Sequence, residues 1–192
     1  MDPISGDGGG NRGRLFVVSG PSGAGKGTVI QEVLRRRPEI VLSVSVTTRP
    51  ARRQERQGVH YNFVGEPEFK AMRDRGDLLE SARVHGNFYG TPRPAVEAAL
   101  AGGRDVICEL DIQGAESVKR AKPEAILIFI EPPSMEDLHT RLRNRGTESP
   151  DDMSSRIDAA YAEIKRKELY DHIVINDRLE DAVDHLLRIL DG

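Results

Sequence analysis

A single cysteine, Cys108, occurs among 192 residues, so the chain cannot form an internal disulfide. That usage fits a reducing cytoplasm. No hydrophobic run comes near the ~20 residues that a bilayer-spanning helix needs. The longest purely apolar run is "AILIFI" at 125–130. The opening "MDPISGDGGGNRGR" has no apolar core of a secretory leader, and residues 1–13 read as a flexible tail. A net charge of −3 lacks the positive excess that nucleic acid or an anionic membrane would require. The five histidines lie far apart, without local metal-ligand spacing. There is no internal repeat. These absences leave a globular chain that is 38% apolar and 31% charged. It reads as one domain over 14–192, with no call for nucleic acid, membrane or an obligatory protein partner.

What is present alternates. "LFVVS" (15–19) is a short apolar run that ends in a glycine-rich turn, as a buried strand does. Val29, Ile30, Val33 and Leu34 then recur at helical spacing over 26–37. Strands are predicted at 41–46, 59–64, 105–110, 125–130 and 172–176. Helices are predicted at 66–75, 94–101, 113–121, 134–145, 151–170 and 179–190. The 134–145 helix has Ser134 and Asp137 as its cap. The 151–170 helix carries Met153, Ile157, Ala160, Tyr161 and Ile164 on one apolar face. "LLESARV" and "FYG" across "HGN" predict a hairpin. Strands alternating with helices imply an α/β fold with a parallel sheet. The segment 45–92 breaks that rhythm and reads as a β-rich insertion.

The first motif is "GPSGAGKGT" at 20–28. Gly20, Gly23 and Gly25 let backbone N–H groups converge on anionic oxygens at a helix start, and Lys26 adds a point charge. Strand, glycine-rich loop and helix form the setting a phosphate-binding loop requires. The residue after the lysine, usually a hydroxyl that ligates Mg²⁺, is Gly27; the hydroxyl arrives one place later, at Thr28. A second group is Ser45, Arg49, Arg52, Tyr61, Glu80, Tyr89 and Thr91. Spacing alone does not separate these from solvated arginines and core tyrosines. Glu80, following Leu78 and Leu79, is different, because a carboxylate in an apolar setting needs a partner.

"SVSVTTRPAR", "GVHYNF", "LLESARVHGNFYGTP", "ELDIQGAESVK" and "NRGTES" follow the loop in this order. With it they resemble the guanylate kinases over roughly residues 14–190. The resemblance implies a P-loop parallel sheet core flanked by helices, a GMP-binding insertion over about 45–92 and a helical lid over about 139–157. It implies an ATP:GMP phosphotransferase acting on GMP or dGMP, with Mg²⁺ as cofactor. ATP would bind at Gly20, Pro21, Ser22, Gly23, Ala24, Gly25, Lys26, Gly27 and Thr28, with Asn176 near the adenine. Arg49, Arg52, Tyr61 and Tyr89 would grip the GMP phosphate. Glu80 would accept from guanine, and Ser45 and Thr91 would offer hydroxyls to the base. Glu109 and Asp111 would order either metal waters or the GMP-side arginines. Lys26 and the lid residues Arg141, Arg145 and Arg156 would stabilise the transferring phosphoryl group. The chain would supply no direct metal ligand, Mg²⁺ being held by phosphates and water.

Two positions depart from the pattern. Residues 53–55 read Arg-Gln-Glu where the family commonly has Pro-Gly-Glu, and Gly27 stands where it usually has Ser. "GKGT" also occurs in adenylate kinases, but Glu80 and the paired tyrosines speak against AMP. A guanylate kinase-like binding module would be expected to lose part of the lysine and arginine set, which is present here.

Overall fold

The computed structural model describes residues 12–84, 86–144 and 150–192. Apart from Arg12 and Gly13, the tail expected over 1–13 lies outside them, as does Arg145.

Strand β1 (Leu15–Ser19) leads into helix α1 (Lys26–Arg36), and the short strands β2 (Val41–Leu42), β3 (Val46–Thr47) and β4 (Asn62–Phe63) follow. Helix α2 (Glu66–Asp74) precedes the hairpin of β5 (Leu78–Val84) and β6 (Asn87–Pro92). The chain continues through α3 (Arg93–Ala101), β7 (Val106–Glu109), α4 (Ile112–Ala121), β8 (Ile126–Glu131) and α5 (Met135–Asn144). It ends with α6 (Pro150–Ile164), β9 (His172–Ile175) and α7 (Leu179–Asp191).

Five strands form a parallel sheet in the order β2-β7-β1-β8-β9. Side chains alternate across a strand, so β1 feeds two cores. Leu15 and Val17 pack with Val96, Leu100, Ala115 and Val118 of α3 and α4. Phe16 and Val18 pack on the other face with Val29, Ile30 and Val33 of α1 and with Val183, Leu186 and Leu190 of α7. Each Val, Leu, Ile or Phe among them, fully buried, contributes about 1.5–3 kcal/mol. The two layers hold β1 at the centre of the sheet. In open sheets of this kind, ligands lie beyond the carboxyl ends of the strands.

A second sheet, β4-β3-β6-β5, has its own small core of Val46, Phe69 and Leu78. Phe88 stacks on Phe69 there, with ring centroids 5.4 Å apart. This is the β-rich insertion that the broken rhythm predicts. Helix α4 packs against β5 and so joins the insertion to the main sheet.

Three element predictions need correction. The stretch 41–46 is not one strand: Val41 and Leu42 pair with β7 in the large sheet, whereas Val46 pairs with β4 and β6 in the small one. Its uniform alternation conceals the hand-over between sheets. The 59–64 strand shrinks to Asn62–Phe63, because Val59 and His60 turn their N–H groups to the Arg56 carbonyl. The 151–170 helix stops at Ile164, and a single 3₁₀ turn over Lys167–Leu169 follows. That break delivers Tyr170 into the core against Phe129, at 5.0 Å between centroids. Tyr161, placed on the apolar face by periodicity, is exposed, its ring edge-on to His139. The predicted cap of α5 is present: Asp137 N–H donates to Ser134 Oγ at 3.0 Å.

Candidate active site

The end of β1 is tied to the end of β7, where Ser19 Oγ donates to the Leu110 carbonyl at 2.8 Å. The loop that follows needs glycine for two different reasons. At Gly20, φ is 139° and a Cβ would stand 2.0 Å from the Ile130 carbonyl oxygen. At Gly25, φ is 86° and a Cβ would stand 2.4 Å from Asn176 Nδ2. That amide donates to the Ala24 carbonyl at 2.7 Å, so buried Asn176 braces the loop from behind. Arg141 in turn donates to the Asn176 carbonyl at 2.8 Å. Pro21, Gly23 and Ala24 are buried or nearly so in the loop, whereas Gly27 and Thr28 lie at its more open end. Gly25 is the N-cap of α1, with no side-chain cap and no acid in the first turn. The helix start therefore offers its amides to an anion. Lys26 Nζ donates to the Gly20 and Pro21 carbonyls at 2.5 and 3.2 Å.

A cavity of about 400 Å³ opens between this loop and the insertion. Of the residues singled out in the sequence, Gly20, Ser22, Lys26, Ser45, Tyr61, Glu80, Tyr89, Glu109 and Asp111 line it. Tyr61 and Tyr89 meet edge to face at 6.0 Å. Burial raises the Tyr61 phenol above its ordinary pKa, and the Glu109 charge adds to the effect. Glu80 is buried, and Thr91 Oγ1, also buried, donates to its Oε1 at 2.8 Å. Burial pushes the Glu80 carboxyl up to about 7; the Thr91 hydroxyl opposes the shift and the Asp111 charge reinforces it. Asp111 caps α4, its Oδ1 accepting from Gly114 N–H at 2.7 Å. Glu109 is exposed and points at the loop: a Cβ on Gly27 would lie 3.9 Å from its Oε2.

Arg49, Arg52 and Arg141 are not among the lining residues. Arg49 is held by both oxygens of Glu55, at 2.8 and 2.9 Å, with its guanidinium 5.4 Å from the Tyr61 ring centroid. Glu55 also accepts from the Arg52 backbone N–H at 2.8 Å. The Arg49 guanidinium holds the Glu55 carboxyl below its usual range. Thus the glutamate of the Arg-Gln-Glu departure shapes the basic loop, while Arg53 and Gln54 are exposed. The Arg52 side chain is exposed as well. The segment 139–157 is described only at 139–144 and 150–157, and the Arg156 side chain lies outside what is described.

The sequence reading missed Glu163, Ser43 and His60, which also line the cavity. Glu163 lies three residues after buried Ala160 on α6, so a charge on the border of an apolar face was its only signal. Among the described residues that line the cavity, four carboxylates face one ammonium. A phosphate-bearing ligand there needs further positive charge from the loop amides, from arginines or from a bound cation. Among the described residues, no group of three or more His, Cys, Asp or Glu could hold a metal ion, and no helix is long and apolar enough to cross a membrane.

Comparisons with known proteins bear on the chain as a whole. The sequence model of the family "Guanylate kinase" matches residues 12–192. The guanylate kinase of Desulfitobacterium hafniense is 48% identical over 180 residues, covering 94% of this chain and 90% of its own. That of Thermus thermophilus is 50% identical over 181 residues, covering 94% and 81%. A crystal structure of guanylate kinase from Anaplasma phagocytophilum superposes with a TM-score of 0.79 at 35% identity, covering 94% of this chain and 86% of that one. With a glycine-rich loop at the end of β1, a carboxylate buried in the wall opposite and this match along nearly its whole length, the chain belongs to the guanylate kinase family.

Proposed function

We propose that the chain transfers the γ-phosphoryl group of ATP to GMP or dGMP, with Glu80 as the reader of guanine. The observation that carries this reading is the buried Glu80 carboxylate facing the cavity with Thr91 bonded to one oxygen. Guanine presents two donors side by side, N1–H and the 2-amino group, which suit a carboxylate. Adenine has an acceptor at N1 and no 2-amino group, so AMP would leave a buried carboxylate unmet. That asymmetry gives strong discrimination. Ser45 lines the base pocket, Thr91 supports it from behind through Glu80, and Tyr61 and Tyr89 reach the phosphate together with Arg49 and Arg52. Glu55 fixes the Arg49 guanidinium for that contact.

The loop amides, Lys26 and Thr28 hold the ATP phosphates. A phosphate oxygen of GMP bonds to the γ-phosphorus as the bond to the β,γ-bridging oxygen breaks, giving GDP and ADP. No general base is needed, because the nucleophile is already an anion. Arg141, Arg145 and Arg156 add positive charge near the transferring group, and Asn176 keeps the loop in place beneath the adenine side. The donor set fits a magnesium ion held indirectly. Gly27 offers no oxygen, Asp111 is engaged in its cap, and exposed Glu109 faces the loop where it can order water. When bound, Mg²⁺ neutralises phosphate charge.

A buried, unpaired thiol is in keeping with a cytoplasmic protein. A coupled assay of ADP release with GMP, dGMP, AMP and UMP tests the reading. GMP and dGMP should turn over, with AMP and UMP slower by about 10³-fold or more. Equal turnover of AMP would remove Glu80 from its role.

A further inference from the structure

Glu163 has no task in the reaction as described. It sits in the last turn of α6, half-buried, and lines the cavity beside Gly20, Ser22 and Lys26. Its carboxylate has no hydrogen bond or ion pair among the described residues. Burial raises its pKa; the Lys26 charge lowers it and the Asp111 charge raises it. A half-buried carboxylate without a partner is unfavourable for folding, so stability does not explain its place. Nor does it lie there by accident of a loose helix: Ala160, one turn earlier, is packed against Leu138 and Leu142 of α5, which fixes how α6 is rotated.

Lys26 lines the same cavity. Its ammonium lies back along the loop, on the Gly20 and Pro21 carbonyls. To meet nucleotide phosphates it must point across the cavity instead. Among the described residues the lining holds three further carboxylates besides Glu163, and two of them are engaged elsewhere. Glu80 is bonded to Thr91, Asp111 caps α4, and Glu109 is exposed toward Gly27.

We propose that Glu163 is a positioning residue for Lys26: its carboxylate is the counter-charge that sets the direction of the lysine ammonium across the cavity. This links helix α6 to the phosphate loop, and it rests on the phosphoryl-transfer reading given above. Glu163 touches no reacting atom. Its effect passes through the lysine, so it should act on turnover more than on the binding of either nucleotide.

The test uses the full chain and the variants Glu163→Gln and Glu163→Asp. Two quantities are measured besides stability: steady-state kinetics, and substrate-free labelling of Lys26 by an amine-selective reagent at fixed pH, read on its peptide by mass spectrometry. In Glu163→Gln, kcat should fall about tenfold or more while KM for ATP and GMP stays within about threefold. Labelling of Lys26 should speed up about threefold or more, since an ammonium without its carboxylate loses the proton more readily. Glu163→Asp should recover part of both effects. The melting temperature should not fall, which separates this role from a structural one. Unchanged labelling, or unchanged kcat, in the folded Gln variant overturns the proposal. If that variant fails to fold, the same two readouts on Glu163→Asp decide it. A wild-type chain inactive toward GMP would sink the phosphoryl-transfer reading alone, because the labelling comparison needs no substrate.

Discussion

Replacing Glu80 by Gln sets stability against function in one side chain. In the folded chain burial lifts this carboxyl from 4.5 to about 7. Between those two pH values the folded state keeps a proton that the unfolded state has lost. Stability from this group is therefore present at low pH, is lost as pH rises through the folded pKa, and is gone above about 8. The gap between 4.5 and about 7 corresponds to ~3 kcal/mol as a ceiling. A neutral amide escapes that cost, and its oxygen can still accept from Thr91. Glu80→Gln should thus be the more stable protein at pH 8, by about 1–3 kcal/mol, with the advantage shrinking toward pH 5. Taking the difference between variant and wild type cancels every other titrating group. Urea unfolding at the two pH values measures it. The same variant can satisfy only one of the two guanine donors, and a charged hydrogen bond contributes about 1.5–3 kcal/mol. Its kcat/KM for GMP should fall about 10- to 150-fold, while its affinity for ATP holds. A variant no more stable at pH 8 than at pH 5, relative to wild type, refutes the burial argument; an undiminished kcat/KM for GMP refutes the reading of guanine.

Gly27→Ser should fold and remain active, since a Cβ there meets nothing closer than Glu109 Oε2 at 3.9 Å. Titration of activity with Mg²⁺ should give a half-saturating concentration within about tenfold of wild type; a much larger fall would mean that the metal needs a hydroxyl this loop lacks. Gly25→Ala should destabilise the chain by about 1–3 kcal/mol and weaken ATP binding, because φ is 86° and the new Cβ runs into Asn176 Nδ2. Thermal melting and nucleotide titration check this, and an unchanged melting temperature would contradict the loop geometry. Arg145→Ala should lower kcat by on the order of 10³-fold with little change in either KM. Steady-state kinetics reads this directly, and a raised KM at constant kcat would instead show uniform binding.

The alternation of apolar strands with helical spacing made the parallel core legible, because each element there buries a face and so carries its period in its own residues. The glycines at 20, 23 and 25 and the lysine at 26 were equally plain, since backbone geometry leaves few substitutes. Val41 to Val46 shows where such reading stops. A strand that leaves one sheet for another keeps its alternation, and only pairing partners reveal the change. The end of α6 failed for a similar reason: the pull of Tyr170 into the core is a tertiary event. In the site, Glu80 announced itself by its apolar neighbours. The Glu55 clasp on Arg49 and the place of Glu163 in the same cavity lining as Lys26 did not, because both depend on the path of the chain between distant turns.

The reaction read from this site is transfer of a phosphoryl group to guanylate rather than to water. Incubation with ATP labelled at the γ-phosphorus and with GMP, followed by separation of the nucleotides, tests it most directly. The label should appear in the β-phosphate of GDP in step with ADP, and AMP in place of GMP should yield almost none. Label recovered as inorganic phosphate, or carried equally onto AMP, would contradict the account.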